Sequence, residues 1–121
     1  STGDHAWVKP IGDGPINHPA LKDLNLPPQG GGSQVFVTLT KTMLFAFAGG
    51  MGRSRGGADG EDSPSNFYAI DKATGDTIFE TTILADPSAT PMTYSVDGKQ
   101  YIVVASGGGR NKQELVALAL P

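Results

Sequence analysis

Phe67-Tyr68-Ala69-Ile70-Asp71-Lys72-Ala73-Thr74-Gly75-Asp76-Thr77-Ile78-Phe79 reads as a strand, a turn and the start of a second strand. The Asp71 carboxylate can accept hydrogen bonds from backbone amides further along, and Gly75 can take a positive φ, so the chain reverses between them. Part of the pattern has an earlier copy: Thr74-Gly75-Asp76-Thr77-Ile78-Phe79 echoes Thr2-Gly3-Asp4-His5-Ala6-Trp7. The later copy is preceded by a complete strand and turn, the earlier one by Ser1 alone. A repeat that starts part-way through points to a piece of a larger repeat protein, because repeat units share their cores with neighbours.

Outward from this stretch the apolar pattern is that of strands. Residues 5–11 read as a short first strand, followed by a Pro- and Gly-rich connection over 12–33. Val35-Phe36-Val37-Thr38-Leu39-Thr40 and Met43-Leu44-Phe45-Ala46-Phe47-Ala48 are rich in β-branched and aromatic residues. Lys41-Thr42 separates them at hairpin distance. A polar, glycine-rich loop covers 49–65. Strands at 66–70 and 77–83 flank the Asp71 turn, and 90–96 and 100–105 form a hairpin around Asp97-Gly98, the strongest short-range hairpin signal in the chain. Residues 114–120 supply the last strand. Eight strands and one helical candidate too short to stand alone, 20–24, make the chain all-β.

Composition narrows the function classes. A chain of 121 residues is one domain at most, and it buries roughly two thirds of its unfolded surface if compact. Its 17 Gly and 9 Pro favour short strands and turns over long helices. A formal net charge of −3 without any basic block argues against nucleic acid and anionic membrane as partners. No apolar run approaches the ~20 residues that span a bilayer as a helix. With no cysteine, disulfides and thiolate chemistry are excluded.

The later copy, Ala69-x-Asp71-x-x-x-Gly75-x-x-x-Phe79, resembles the tryptophan-docking motif (A-x-D-x-x-x-G-x-x-x-W) of the quinoprotein dehydrogenases, eight-bladed β-propellers that bind pyrroloquinoline quinone (PQQ). Phe79 stands where that family has Trp, while Gly3 and Trp7 keep the Gly-x-x-x-Trp half. Gly12-Asp13-Gly14-Pro15, His18-Pro19-Ala20-Leu21-Lys22, Ala89-Thr90-Pro91-Met92-Thr93-Tyr94, Asp97-Gly98-Lys99-Gln100-Tyr101 and Val116-Ala117-Leu118-Ala119-Leu120-Pro121 also look like the C-terminal end of these enzymes. The resemblance implies antiparallel β-propeller blades, about two of the eight. Residues 1–11 would be the outer strand of a preceding blade, 34–84 a full blade and 89–121 an incomplete last blade. A self-contained β-sandwich of the same eight strands is the alternative left open. Trp7 and Phe79 are expected to be buried in equivalent positions on outermost strands. The implied function is the C-terminal portion of a PQQ-dependent alcohol or sugar dehydrogenase, periplasmic, supplying propeller walls rather than the catalytic core. A non-catalytic propeller fragment or subunit for assembly or binding is the alternative. The partner is then the missing upstream propeller segment or further copies of the chain.

Candidate site residues are few. Gly107-Gly108-Gly109-Arg110 follows a strand, and its amides and guanidinium can face an anionic cofactor such as the PQQ carboxylates. Gly108, Gly109 and Arg110 are therefore the cofactor-binding candidates. In the membrane-type quinoprotein glucose dehydrogenases the matching loop reads Gly-Gly-His-Gly. The family's His is absent here, and Arg110 stands as a substitute charge partner. His18, alone in Asn17-His18-Pro19, reads as loop packing rather than a catalytic base. Asp59, Glu61 and Asp62 carry oxygen ligands that suit calcium, but their spacing is not that of a calcium loop. Gly49-Gly50-Met51-Gly52-Arg53 lacks the strand–helix context of a phosphate loop. The family's calcium ligands and catalytic Asp belong to earlier blades, so neither catalytic nor metal residues are assigned here.

Overall fold

The computed structural model describes residues 2–16, 18–31, 34–49, 65–108 and 111–119. Seven strands form two antiparallel sheets among these residues. In the first, β1 (Val35–Leu39), β2 (Met43–Ala48), β3 (Ser65–Asp71) and β4 (Thr77–Ile83) lie in chain order. In the second, β5 (Met92–Val96), β6 (Lys99–Gly108) and β7 (Asn111–Ala119) do the same. Among the described residues the one helical element is a 3-10 turn at Lys22–Leu24.

Local chemistry sets each reversal. Between β1 and β2 the Thr40 amide donates to the Met43 carbonyl at 2.8 Å, and the Thr40 hydroxyl accepts from the Met43 amide at 3.1 Å. Between β5 and β6, Asp97 (φ 51°) and Gly98 (φ 77°) both sit at positive φ, as a two-residue primed turn requires. Between β3 and β4, Asp71 Oδ1 accepts from the amides of Ala73 (2.7 Å) and Thr74 (3.0 Å), and the Gly75 amide donates to the Asp71 carbonyl at 2.9 Å. Gly75 lies at φ +80°. The turn is the one its sequence predicts.

The two sheets pack face to face. Phe45, Phe47, Phe67, Ala69 and Ile83 of the first meet Ile102 and Val104 of β6, with Met43, Val116 and Leu118 alongside. The Phe45 and Phe67 rings stack at 5.9 Å, and Phe47 meets Phe67 edge-on at 6.3 Å. The reverse face of the first sheet, with Leu44, Ala46, Ala48, Tyr68 and Ile70, is covered by Trp7 and Ile11. Burial on both faces explains why Met43-Leu44-Phe45-Ala46-Phe47-Ala48 is a continuous apolar run rather than an alternating one.

Residues 5–11 do not form the expected strand; they join no ladder among the described residues and lie across the first sheet instead. Trp7 fixes them there. Its Nε1 donates to the Lys72 carbonyl at 2.9 Å, and its ring lies so close to Gly75 that a Cβ there would fall 2.8 Å from Trp7 Cδ2. The echo between the two copies extends to the backbone, with Gly3 at φ +78°. It does not extend to the aromatics. Trp7 is half-buried on a sheet, whereas Phe79 is 49% exposed, which corrects the expectation that both are buried alike. Phe79 pairs with Ala69, whose side chain faces the second sheet. That sheet reaches Ile83 at the end of β4 but leaves Phe79 exposed.

Two outcomes test this packing. Gly75→Ala should destabilise the chain by about 2 kcal/mol, from the positive φ and the displaced indole together. Chemical denaturation followed by emission of the single tryptophan reads this; a cost under about half a kcal/mol would show that Trp7 does not need the glycine. Phe67→Ala should cost about 3–5 kcal/mol and Phe79→Ala about 1, and equal costs would contradict the exposure difference.

Candidate functional site

The glycine-rich segment lies where the second sheet turns. Gly107 and Gly108 are inside β6 rather than after it, and Gly108 pairs with Asn111 at the start of β7. The ladder shifts register between Ser106 and Gly108. Gly107 holds φ +100°, and a Cβ on it would fall 1.9 Å from the Lys112 carbonyl oxygen, so no other residue fits without rebuilding the turn. Gly109 and Arg110, the other cofactor candidates, lie outside the described residues.

Asp86 anchors this end of the second sheet to the first. Its carbonyl accepts from the Gly107 amide at 2.9 Å, and its Oδ1 accepts from the buried Ser65 hydroxyl at 3.0 Å. Pro87 bridges to Ser106, and the Ser88 amide donates to the Ala105 carbonyl at 3.0 Å. Gly49, at the end of β2, approaches the same Asp86 carboxylate. At the β1–β5 side the Thr38 hydroxyl donates to the Pro91 carbonyl. The glycine-rich end of β6 is therefore tied through Asp86 to both sheets. Sequence reasoning found the glycines but not Asp86, whose role depends on tertiary contacts with β3 and β6.

A second polar concavity lies on the far face of the first sheet. A cleft of about 300 Å³ opens between residues 9–13 and β3–β4, with Lys9 and Asp13 on one wall and Asn66, Tyr68, Thr77 and Glu80 on the other. The Asn66 amide nitrogen lies 3.1 Å from Tyr68 Oη and 3.3 Å from Glu80 Oε1, and Asn66 Oδ1 accepts from Thr82 Oγ1 at 3.3 Å. Burial pushes the Tyr68 phenol above its ordinary value of 10.0; the Asn66 bond opposes this, while the Glu80 and Asp13 carboxylates add to it. The phenol therefore stays neutral at physiological pH, and its oxygen accepts from the Asn66 amide. A signal for this cluster is the cross-strand pairing of Tyr68 with Glu80, visible only once the bulge between Ala69 and Ile70 fixes the register.

The remaining candidates fall away from both places. His18 is exposed, and its Nδ1 accepts from the Ala20 amide at 3.2 Å within its own turn. Asp59, Glu61, Asp62 and Gly50-Met51-Gly52-Arg53 lie outside the described residues. Among the described residues no three His, Cys, Asp or Glu side chains come together in a way that would hold a metal ion. Among them, too, no helix is long and apolar enough to cross a membrane.

Comparison with known proteins agrees with this architecture. Over 58 residues the chain is 38% identical to the quinoprotein glucose dehydrogenase of Escherichia coli (strain K12) and 40% identical to quinoprotein glucose dehydrogenase A of Acinetobacter calcoaceticus, covering 44% of this chain and 7% of each relative. Over an alignment of 125 residues it is 29% identical to the glycerol dehydrogenase large subunit of Gluconobacter oxydans (strain 621H), covering 95% of this chain and 15% of that one. The chain thus spans a small part of the length of the curated relatives it matches. No solved structure matches it significantly. Residues 1–102 match the PQQ family described as glucose/ethanol/alcohol dehydrogenase, β-propeller domain, and with seven antiparallel strands in two facing sheets the chain belongs to that family as a segment of a quinoprotein dehydrogenase propeller.

Proposed function

We propose that this chain is the C-terminal part of a PQQ-dependent dehydrogenase that oxidises an alcohol or sugar, and that it supplies propeller walls rather than the catalytic core. The observation that carries the reading is the first sheet, which is covered on both faces as a blade between two neighbours is. Residues 1–11 are then the outer strand of a preceding blade, 34–84 a full blade and 89–121 an incomplete last one. In an intact propeller 5–11 would gain the ladder partner they lack here, and Trp7 over Gly75 would be a tryptophan-docking contact between blades. Phe79 and the free edge of β7 are where the rest of the ring would lie. A periplasmic setting follows from the same resemblance.

Gly108, Gly109 and Arg110 are the residues that would meet the cofactor, since backbone amides and a guanidinium suit its carboxylates. When bound, PQQ supplies the two-electron oxidation of the substrate. This segment's share is to hold, through Gly107 and Asp86, the strand that leads into those residues. A second reading rests on the three-stranded second sheet: copies of the chain associate, with residues 5–11 of one pairing against β7 of the next, in a ring of four. Sedimentation decides it, since a monomer at micromolar concentration excludes the ring and leaves the upstream propeller segment as partner.

The isolated chain should show no turnover when mixed with PQQ, Ca²⁺, a panel of alcohols and sugars, and an artificial electron acceptor. Turnover that depends on PQQ would overturn the assignment to the wall. PQQ binding without turnover, measured by equilibrium dialysis and lost in Arg110→Ala, would support the glycine turn as a cofactor contact.

A further inference from the structure

β4 ends the first sheet. One side of it pairs with β3, and its other side joins no ladder among the described residues. This edge lies in the plane of the sheet, so it stays open whether or not neighbouring blades cover the two faces. Edge strands are commonly protected by lysine, proline, short length or a bulge. β4 has 7 residues, no lysine, arginine or proline among them, and Glu80 as its one charge. The bulge lies beside its first residues, between Ala69 and Ile70, and leaves 79–83 in unbroken register with 65–69. The other outer strands are better protected: β1 and β5 have 5 residues each, and β7 carries Lys112 and Glu114.

Symmetry limits how two such edges can meet. A two-fold axis normal to the sheet keeps each face on its own side, so paired residues share a face and one residue stands opposite itself. With the axis at Thr81, Phe79 stands opposite Ile83, Glu80 opposite Thr82 and Thr81 opposite its own copy. No like charges meet, each Glu80 carboxylate faces a hydroxyl, and the central pair is threonine on threonine. Neighbouring registers are worse. An axis at Glu80 sets the two carboxylates against each other. An axis at Phe79 draws the bulged stretch into the new ladder, and one at Thr82 leaves only 81–83 to pair within the strand. We propose that β4 pairs antiparallel with β4 of a second copy about an axis at Thr81, joining the two four-stranded sheets into one continuous sheet. This goes beyond the redox reading, does not depend on it, and uses a different edge from the ring of four.

Sedimentation equilibrium of the whole chain, from about 10 µM to about 1 mM, should show a monomer–dimer equilibrium with Kd on the order of 100 µM. Thr82 is exposed and faces Glu80 of the other copy twice in this register. Thr82→Glu should therefore raise Kd about tenfold, and Thr82→Lys should lower it. Glu114→Lys on β7 should leave it unchanged. Trp7 emission and the denaturation midpoint confirm that each variant is folded. The chain has no cysteine, so a single introduced thiol reports the register. An antiparallel pair holds facing Cα atoms about 4.5–5.5 Å apart, within disulfide reach. Thr81→Cys treated with oxidised glutathione should give a covalent dimer, and do so faster than Ser95→Cys on the exposed β5. A monomer at every concentration, a Kd indifferent to both Thr82 variants, cross-linking of Ser95→Cys as fast as that of Thr81→Cys, or open-ended aggregation in place of a dimer would each overturn the pairing.

Discussion

β2 and β3 bury apolar side chains on both faces. Phe45, Phe47 and Phe67 point to one side and Ala46, Tyr68 and Ile70 to the other, all of them buried. Such a pair of strands is stable only between two covers, and the rest of the molecule answers that demand. β6 supplies one cover through Ile102 and Val104. The other depends on a chain of local events: the Asp71 turn places Gly75, Gly75 has no Cβ, and the indole of Trp7 settles on it with its Nε1 on the Lys72 carbonyl. Without the turn there is no flat surface for the indole, and without the indole the second face is open.

The apolar surface that remains uncovered is equally informative. The outward face of the second sheet carries Met92, Tyr94, Val96 and Leu115, all exposed, with Tyr94 stacked on Tyr101 at 5.1 Å. β5 is exposed along its whole length. A contiguous face of this kind marks an interaction surface rather than a solvent boundary. Together with Phe79 and the open edge of β7, it fits a segment whose neighbours in the proposed propeller lie on the second sheet as well as the first.

Much of this was legible in the sequence. The Asp71–Gly75 and Asp97–Gly98 reversals follow from which residues tolerate positive φ and which side chains accept from nearby amides, so both turns and their flanking strands could be read directly. What failed were properties that belong to neighbours. Residues 5–11 have strand-like composition, yet a strand exists only in a ladder, and none of the described strands offers them one. Phe79 matches Trp7 in sequence position but lacks a sheet above it. The cleft escaped notice because it combines residues 9–13 with β3 and β4, whose cross-strand pairing depends on a bulge that no composition rule marks.

The ladders join only strands that follow one another in the chain, so each sheet is a meander built from short-range closures. The bond from Trp7 to Lys72 is different, spanning 65 residues. Loop closure over that length grows only logarithmically in cost, and the docked segment adds no ladder bond to the sheet beneath it. The tether therefore acts mainly by raising the local concentration of the indole at Gly75. In that sense the N-terminal segment behaves as a ligand of the first sheet that happens to be covalently attached. The same surface would accept it from a chain cut within residues 12–31, with affinity replacing connectivity.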